Sequence, residues 1–407
     1  MPSDSINTVV LHADYARVFS YFDDWFDAFL QCPGFQVTPV NVVDRNASKR
    51  LQRVIRNVEL IVVLHSVLGD TVKYLDRVAS VLQNRRGRLF VFVGNEVNLP
   101  GIPIHAKRAL LKRLSPEFIA TQLPLEAGQF LFGDITSARL LEVPHALNPS
   151  VYVPGKKYKE RAIDIGSRAA RYLPHLGDED RNKIQDYFSH YGASRFGFKV
   201  DLSNKRMTRG GWAAFLQQCR GTVSTEAGSW YLERDDHTVE AIRQWAKQRP
   251  SGALTLSADS FFVSLIEAMP SIPRRILRAV KKTGLVQHEL VAAGKLSFAE
   301  VYERFFKDYE KPHFYGKCVS SRHFDAVGSK TCQIMFPGKF NGIFVADKHY
   351  IALERDYSNI SDVIERFTDI DYWQQMVDEA YESVMDQHTY SHRLQRLHGM
   401  LTLERPH

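Results

Sequence analysis

Residues 58–66 read Val58-Glu59-Leu60-Ile61-Val62-Val63-Leu64-His65-Ser66, an apolar run that ends on a histidine and a serine. A strand without polar alternation is covered on both faces, as the strands of parallel sheets are. The neighbourhood repeats the signal: Thr8–His12, Val37–Val43, Arg88–Val93, Phe118–Gln122 and Leu140–Val143 are further short strand-like runs. Helix-like stretches lie between them. Val18, Phe19, Phe22, Trp25, Phe26 and Phe29 recur near helical spacing, and Val72–Leu82 and the basic His105–Leu114 follow. Strands alternating with helices of this length predict parallel α/β units with right-handed crossovers. Ligands of such sheets sit beyond the carboxyl ends of the strands. That rule singles out His12, His65, Ser66, Asn95 and Glu96.

Pro144-His145-Ala146-Leu147-Asn148-Pro149 breaks the alternation, because two prolines in six residues suit neither a helix nor a central strand. The second half then resumes it. Ala162–Ser167, Phe196–Val200, Gly221–Ser224, Thr331–Phe336 and Ile351–Leu353 read as strands. Asp178–Tyr191, Thr238–Lys247, Ser257–Lys282 with a kink at Pro270 or Pro273, Ile360–Phe367 and Tyr372–Asp386 read as helices. The reading divides the chain into residues 1–148, residues 149–370, and C-terminal helices over 371–407 that pack back on the first part.

The 407 residues carry 53 basic and 46 acidic side chains, a formal charge of +7 that is spread along the chain. No cationic tail is present, which argues against a nucleic-acid partner and suits a small anionic ligand or an anionic membrane surface. The four cysteines, Cys32, Cys219, Cys318 and Cys332, have no short metal or redox spacing and fit a reducing compartment. No signal-peptide pattern opens the chain and no apolar run approaches 18 residues. The expectation is a cytoplasmic protein.

The stretch that carries most chemistry is Val319–Phe344. Ser320 or Ser321 can cap a helix starting near Arg322. Free N–H groups at such an end attract phosphate, and Arg322 adds a charge-assisted donor. Asp325, one turn in, can accept from sugar hydroxyls. Pro337-Gly338-Lys339-Phe340-Asn341-Gly342 forms a second loop at a strand end. An ordinary capped surface helix would carry the same letters.

These residues resemble the donor-binding signature of group-one glycosyltransferases of the two-Rossmann GT-B type, and are similar to the branch of spore-maturation and surface-polysaccharide enzymes. The resemblance rests on Ser321-Arg322-His323-Phe324-Asp325-Ala326, Asn341-Gly342-Ile343, His349-Tyr350-Ile351-Ala352-Leu353 and Asp356-Tyr357-Ser358-Asn359. Thr225-Glu226-Ala227-Gly228-Ser229, Ile163-Asp164-Ile165-Gly166-Ser167-Arg168, the Pro144–Pro149 linker and Gly94-Asn95-Glu96 resemble other stretches of that branch. The chain departs from it in having Asp325 where the branch usually has Glu, and Lys317 where the wider retaining family often has an acid. His12-Ala13-Asp14 stands where that family has a glycine-rich turn.

What the resemblance implies is an α/β protein of GT-B architecture, with two Rossmann-type domains whose parallel sheets face a central cleft. It implies sugar transfer from a nucleotide-sugar donor to a glycan, lipid-linked or protein acceptor in bacterial surface glycan synthesis, with retention and without a metal or other cofactor. A leaving diphosphate calls for cationic stabilisation, for which Arg168 and Arg322 rank ahead of Arg171, Arg195 and Lys199. Gly166, Arg168, Ser229, Ser321, Arg322, Asp325, Asn341 and Gly342 are the donor candidates. His65, Glu96 and Glu226 are the catalytic candidates, followed by His12 and Asp14. A core histidine, a helix-capping acid and a loop acid are the bland readings of His65, Glu96 and Glu226. Ile272–Lys282 and His105–Arg113 are basic segments that could rest on anionic lipid. Asp178-Glu179-Asp180 and Asp369-Ile370-Asp371 read as helix caps, and His388 and His392 as surface histidines. The competing readings are a nucleotide-sugar epimerase or hydrolase of the same architecture and a catalytically silent binding module.

Overall fold

The computed structural model describes residues 5–15, 20–249, 254–256, 286–288, 293, 295–310 and 312–404. The helix expected over Ser257–Lys282, with its basic Ile272–Lys282 segment, lies outside the described residues.

The first half is built on six strands, β1 (Ile6–His12), β2 (Phe35–Asn41), β3 (Leu60–Val63), β4 (Arg88–Phe92), β5 (Phe118–Thr121) and β6 (Arg139–Glu142). Their order is β2-β1-β3-β4-β5-β6 and every pairing is parallel. Side chains alternate faces along a strand, and both faces are apolar. Val9, Leu11, Ile61, Val63, Leu89 and Val91 point into one core; Ile6, Val10, Leu60, Val62, Phe90 and Phe92 point into the other. The second core is closed by α1 (Ser20–Gln31), through Trp25 and Phe29, and by Tyr390, Leu394, Leu397 and Leu401 from the far end of the chain. Opposite, α2 (Ile104–Leu114) contributes Ile104, Leu110, Leu111 and Leu114.

The second half has a five-stranded parallel sheet of β7 (Ile163–Arg168), β8 (Val200–Ser203), β9 (Cys219–Ser224), β14 (Cys332–Met335) and β15 (Ile351–Ala352). Its order is β15-β14-β9-β7-β8. Two small pairs are added: antiparallel β10 (Ala227–Gly228) with β13 (Lys317–Cys318), and parallel β11 (Leu254–Leu256) with β12 (Val286–His288). The helices that matter for the site are α3 (Asp180–Phe196), α4 (Arg209–Leu216) and α5 (Ser321–Gly328). The chain then runs through α6 (Ile370–Gln387) into α7 (Tyr390–Leu403), which packs on α1. The return is bonded to the outward linker: Leu147 N–H donates to the His388 carbonyl at 2.9 Å and Tyr390 N–H to the Leu147 carbonyl at 3.0 Å. In each sheet the strand order reverses beside the first strand of its half, β1 or β7, which is where crevices for ligands open. Among the described residues no helix is long and apolar enough to cross a membrane.

Candidate functional site

The N-terminus of α5 is fixed by its own third residue. The Ser320 N–H donates to His323 Nδ1 at 3.1 Å, and His323 Nε2 lies 3.0 Å from Ser224 Oγ at the end of β9. Since Nδ1 accepts, the ring proton sits on Nε2 and is donated to Ser224. Burial and the nearby Arg322 and Arg181 hold this imidazole well below its usual range, so it stays neutral.

The next residue out, Arg322, points into a cavity of about 140 Å³ that it shares with Tyr21, Arg168, Arg206, Trp212 and Asp325. Its Nη1 is buried and has no hydrogen-bond partner among the described residues. Burial, with the Arg181 guanidinium beside it, pushes Arg322 down to about 9. Arg181 is itself buried on α3 and stacks over Tyr172 at 3.9 Å. Two neighbouring guanidiniums, each with an orphaned donor (Arg322 Nη1 and Arg181 Nε), at the positive end of a helix form an electrostatic hole for an anion. Asp325 Oδ2 accepts from Trp212 Nε1 at 2.9 Å; burial and the charge of Asp24 raise its carboxyl well above the ordinary range.

A second cavity of about 430 Å³ opens at the end of β1, lined by His12, Asp14, Phe26, Ser66, Thr208 and Arg209. Ser66 Oγ accepts from the Ala13 N–H at 3.0 Å and fixes the loop after β1. His12 stacks on Phe26 with ring centroids 4.1 Å apart, and burial lowers its affinity for a proton. Arg209 lines both cavities and reaches from α4 to α1, where it donates to Asp24 Oδ1 at 3.0 Å and Asp27 Oδ2 at 2.6 Å.

Arg168, Ser321, Arg322 and Asp325 therefore meet at one cavity, and His12 and Asp14 meet at the next. The other expected site residues lie elsewhere. His65 is sealed among Tyr21, Trp25, Phe92 and His145, with both ring nitrogens unpartnered, one ring behind the cavity wall. Glu96 is buried beside Lys107, its Oε2 accepting from Gln122 N–H at 2.8 Å; burial pushes it up to about 7. Glu226 points away from both cavities. It accepts from the Tyr315 hydroxyl and from Phe340 N–H at 2.7 Å, and so anchors the 337–342 turn. Ser229 Oγ is fully buried and spent on Leu176 and Tyr231 backbone groups.

Asn341 is a clamp between the halves. Its Oδ1 accepts from Val319 N–H at 2.7 Å, and its Nδ2 donates to the Gln122 carbonyl at 3.2 Å and Glu142 Oε1 at 2.7 Å. Gly342 serves that turn at φ 71°, and a Cβ on Gly166 would strike Cys219 and Phe215, so its bareness serves sheet packing. Arg168 lines the cavity but is largely committed to Asp201, 2.7 Å away, and to the ring of Phe215 at 3.9 Å. Arg171 pairs with Asp186 on the surface, and Arg195 and Lys199 are exposed.

The Asp-x-Asp stretches do begin helices, and Asp369 accepts from Asp371 N–H at 2.9 Å. Asp178 does more, forming a buried ion pair with Lys317. His388 and His392 are local partners of Arg393 and Thr389. Among the described residues, no group of three or more His, Cys, Asp and Glu side chains is placed to hold a metal ion.

Sequence reasoning missed Arg181, Arg206, Arg209, Tyr21 and Trp212. Arg181 follows an acidic triplet that reads as a cap, and α4 opens with Arg209-Gly210-Gly211, to which the sequence reading assigns no element. Tyr21 lies in a run of aromatics, and only the folded chain separates the ring that faces the cavity from those that face the core.

Comparisons with known proteins follow this geometry. A family model described as glycosyl transferase-like matches residues 289–399. No curated protein matches the sequence. Among solved structures, an alpha-glucosyltransferase in complex with UDP and a 13-mer DNA containing a central A:G mismatch is similar over 98% of this chain and 100% of its own, at 12% identity and a TM-score of 0.50. The Anabaena protein HepE in complex with UDP and glucose is similar over 98% of this chain and 100% of its own, at 8% identity and a TM-score of 0.50. The chain thus has the α/β architecture of GT-B glycosyltransferase structures, two parallel Rossmann-like sheets, and residues 289–399 carry a glycosyl transferase-like sequence.

Proposed function

We propose that the chain transfers a glycosyl group from a nucleotide-sugar donor to an acceptor hydroxyl, with the donor diphosphate seated at Arg322 on the first turn of α5. The observation that carries this reading is the buried, unpartnered Nη1 of Arg322 in a cavity at a helix N-terminus. The bond between the anomeric carbon and the β-phosphate oxygen breaks, and the nucleoside diphosphate leaves with the electron pair. Arg322 and Arg181 meet the charge it develops, so this reading needs no metal. The acceptor oxygen forms the new bond to the anomeric carbon and gives up its proton. In this reading His12, a neutral imidazole at the end of β1, takes that proton. UDP is the first nucleotide to test, since both similar structures were solved with it. The acceptor class is a glycan, lipid-linked or protein hydroxyl of bacterial surface glycan synthesis, and the stereochemical course is retention, with the acceptor oxygen attacking from the face that the diphosphate leaves.

Thermal-shift titration with UDP, GDP, TDP, ADP and CMP and their sugar conjugates tests the donor seat, because a ligand of the folded state raises its melting temperature. The expected result is a shift with one nucleotide family that Arg322→Ala abolishes. A shift that survives that substitution, or none at all, overturns the reading. The anomeric configuration of the product, read by NMR, decides retention.

A further inference from the structure

We infer that the helix over Ala47–Val54 and the turn after it form an anion-binding groove for a phosphate-bearing acceptor chain; this rests on the transferase reading. The segment Arg45-Asn46-Ala47-Ser48-Lys49-Arg50-Leu51-Gln52-Arg53-Val54-Ile55-Arg56 has five cations, with no acid before Glu59. Ala47, Leu51 and Ile55 form its buried stripe, at the spacing of one helix face. Lys49, Arg50, Gln52, Arg53 and Arg56 are all exposed on the other face. Lys49, Gln52, Arg53 and Arg56 line a surface groove of about 490 Å³.

The groove is uncompensated. Among the described residues none of the five cationic side chains forms an ion pair or a hydrogen bond. The flanking acids are already engaged: Asp44 Oδ1 accepts from Asn41 Nδ2 at 3.2 Å, and Glu59 Oε1 accepts from Asn7 N–H at 3.1 Å. The patch extends to exposed Arg77, whose carbonyl accepts from Ser48 Oγ at 3.1 Å. Like charges three and four residues apart on a helix repel, so the arrangement is costly unless an anion lies on it. Guanidinium forks suit phosphate oxygens, and the rise of 1.5 Å per residue spreads Arg50 to Arg56 over about 9 Å, room for more than one anionic group.

Position links the groove to the chemistry. The helix follows β2, whose last residue Asn41 pairs with His12, and the Val42 N–H donates to the His12 carbonyl at 2.9 Å. The segment that leads into the groove therefore starts at the cavity where an acceptor hydroxyl would meet the donor. A bilayer suits it less. A helix lying in a membrane interface offers Trp, Phe or Leu to the lipid, whereas Leu51 and Ile55 are consumed by the protein's own core. The exposed face is polar.

The test is titration of inorganic tripolyphosphate in the Arg322→Ala background, which removes the other anion seat, with and without Lys49→Ala/Arg53→Ala/Arg56→Ala. All three positions are exposed, and an unchanged melting temperature verifies folding. The expected result is at least tenfold weaker binding in the triple variant, with the log–log salt slope lowered by about one for each lost phosphate contact. The UDP-induced shift of the triple variant with Arg322 intact stays as in the parent. Unchanged tripolyphosphate affinity overturns the groove. Binding to phosphatidylglycerol vesicles with none to tripolyphosphate overturns the acceptor class in favour of a lipid surface. Patch-dependent tripolyphosphate binding without any UDP shift overturns the donor reading and upholds the anion groove; a UDP shift with patch-independent tripolyphosphate binding does the reverse.

Discussion

His65 and His12 show how far a strand-end position goes as a guide. Both follow apolar strands, and the letters do not distinguish them. His65 closes into a box of rings with two unpartnered nitrogens, so its neutral form is heavily favoured. His65→Phe is expected to preserve transfer activity and to raise stability by about 1 kcal/mol in urea melts, since it removes a buried polar group without a bond. A large activity loss at unchanged nucleotide binding would return His65 to the mechanism. His12→Ala is expected to slow turnover by about 10²-fold with the nucleotide shift intact. Because the imidazole acts unprotonated and burial lowers its proton affinity, the acid limb of kcat should fall below the ordinary histidine value of 6.5.

Two acids give a signed dependence on pH. Burial pushes Asp24 and Glu96 each up to about 7. Their protonated forms are favoured in the fold, so the stability they contribute is complete below the unfolded values of 3.8 and 4.5 and is lost as pH rises through about 7. Wild type should lose stability between pH 5 and 8 relative to Glu96→Gln, which flattens that part of the curve; each tenfold change in proton affinity is about 1.4 kcal/mol. Coincident profiles would mean that Glu96 titrates normally.

At the scale of elements, strands and long helices were the legible part. The strand expected over Arg88–Val93 is β4, and the helix expected over Thr238–Lys247 forms over His237–Lys247. The first is a short, continuous apolar run and the second carries its apolar residues at helical spacing. What failed was punctuation. The sequence reading assigns nothing to 209–216, yet α4 forms there, because Thr208 caps the first turn and Trp212, Phe215 and Leu216 pack. Conversely Val72–Leu82 splits into helices over Lys73–Asp76 and Ala79–Gln83. Gly228 in β10 is a glycine whose bareness is required twice over, by its backbone conformation and by a close approach. It has φ 87°, and a Cβ there would lie 2.4 Å from the Gly316 carbonyl oxygen. Gly228→Ala should cost about 1–3 kcal/mol in chemical denaturation.

Across the whole molecule, the donor candidates divide by whether their side chains are free or spent, and that distinction is not written in spacing. Asn341 illustrates it. A motif match put it at the ligand, while its amide bonds Val319, Gln122 and Glu142 and so holds the halves together. Asn341→Ala should lower the melting temperature by several degrees, because Glu142 and the Val319 N–H lose a common partner. Leu394 is fully buried in the core shared by α1 and α7. Its truncation to alanine should cost about 2–5 kcal/mol in chemical denaturation.

The return of α7 also sets an order of events during synthesis. Trp25, Phe29 and Phe35 are made long before their cover, Tyr390 to Leu401. At about 5–20 residues per second, a ribosome takes on the order of ten to fifty seconds to cross the second half. For that interval the nascent first half presents an open aromatic strip, and the chain must escape aggregation there before α7 emerges to close it.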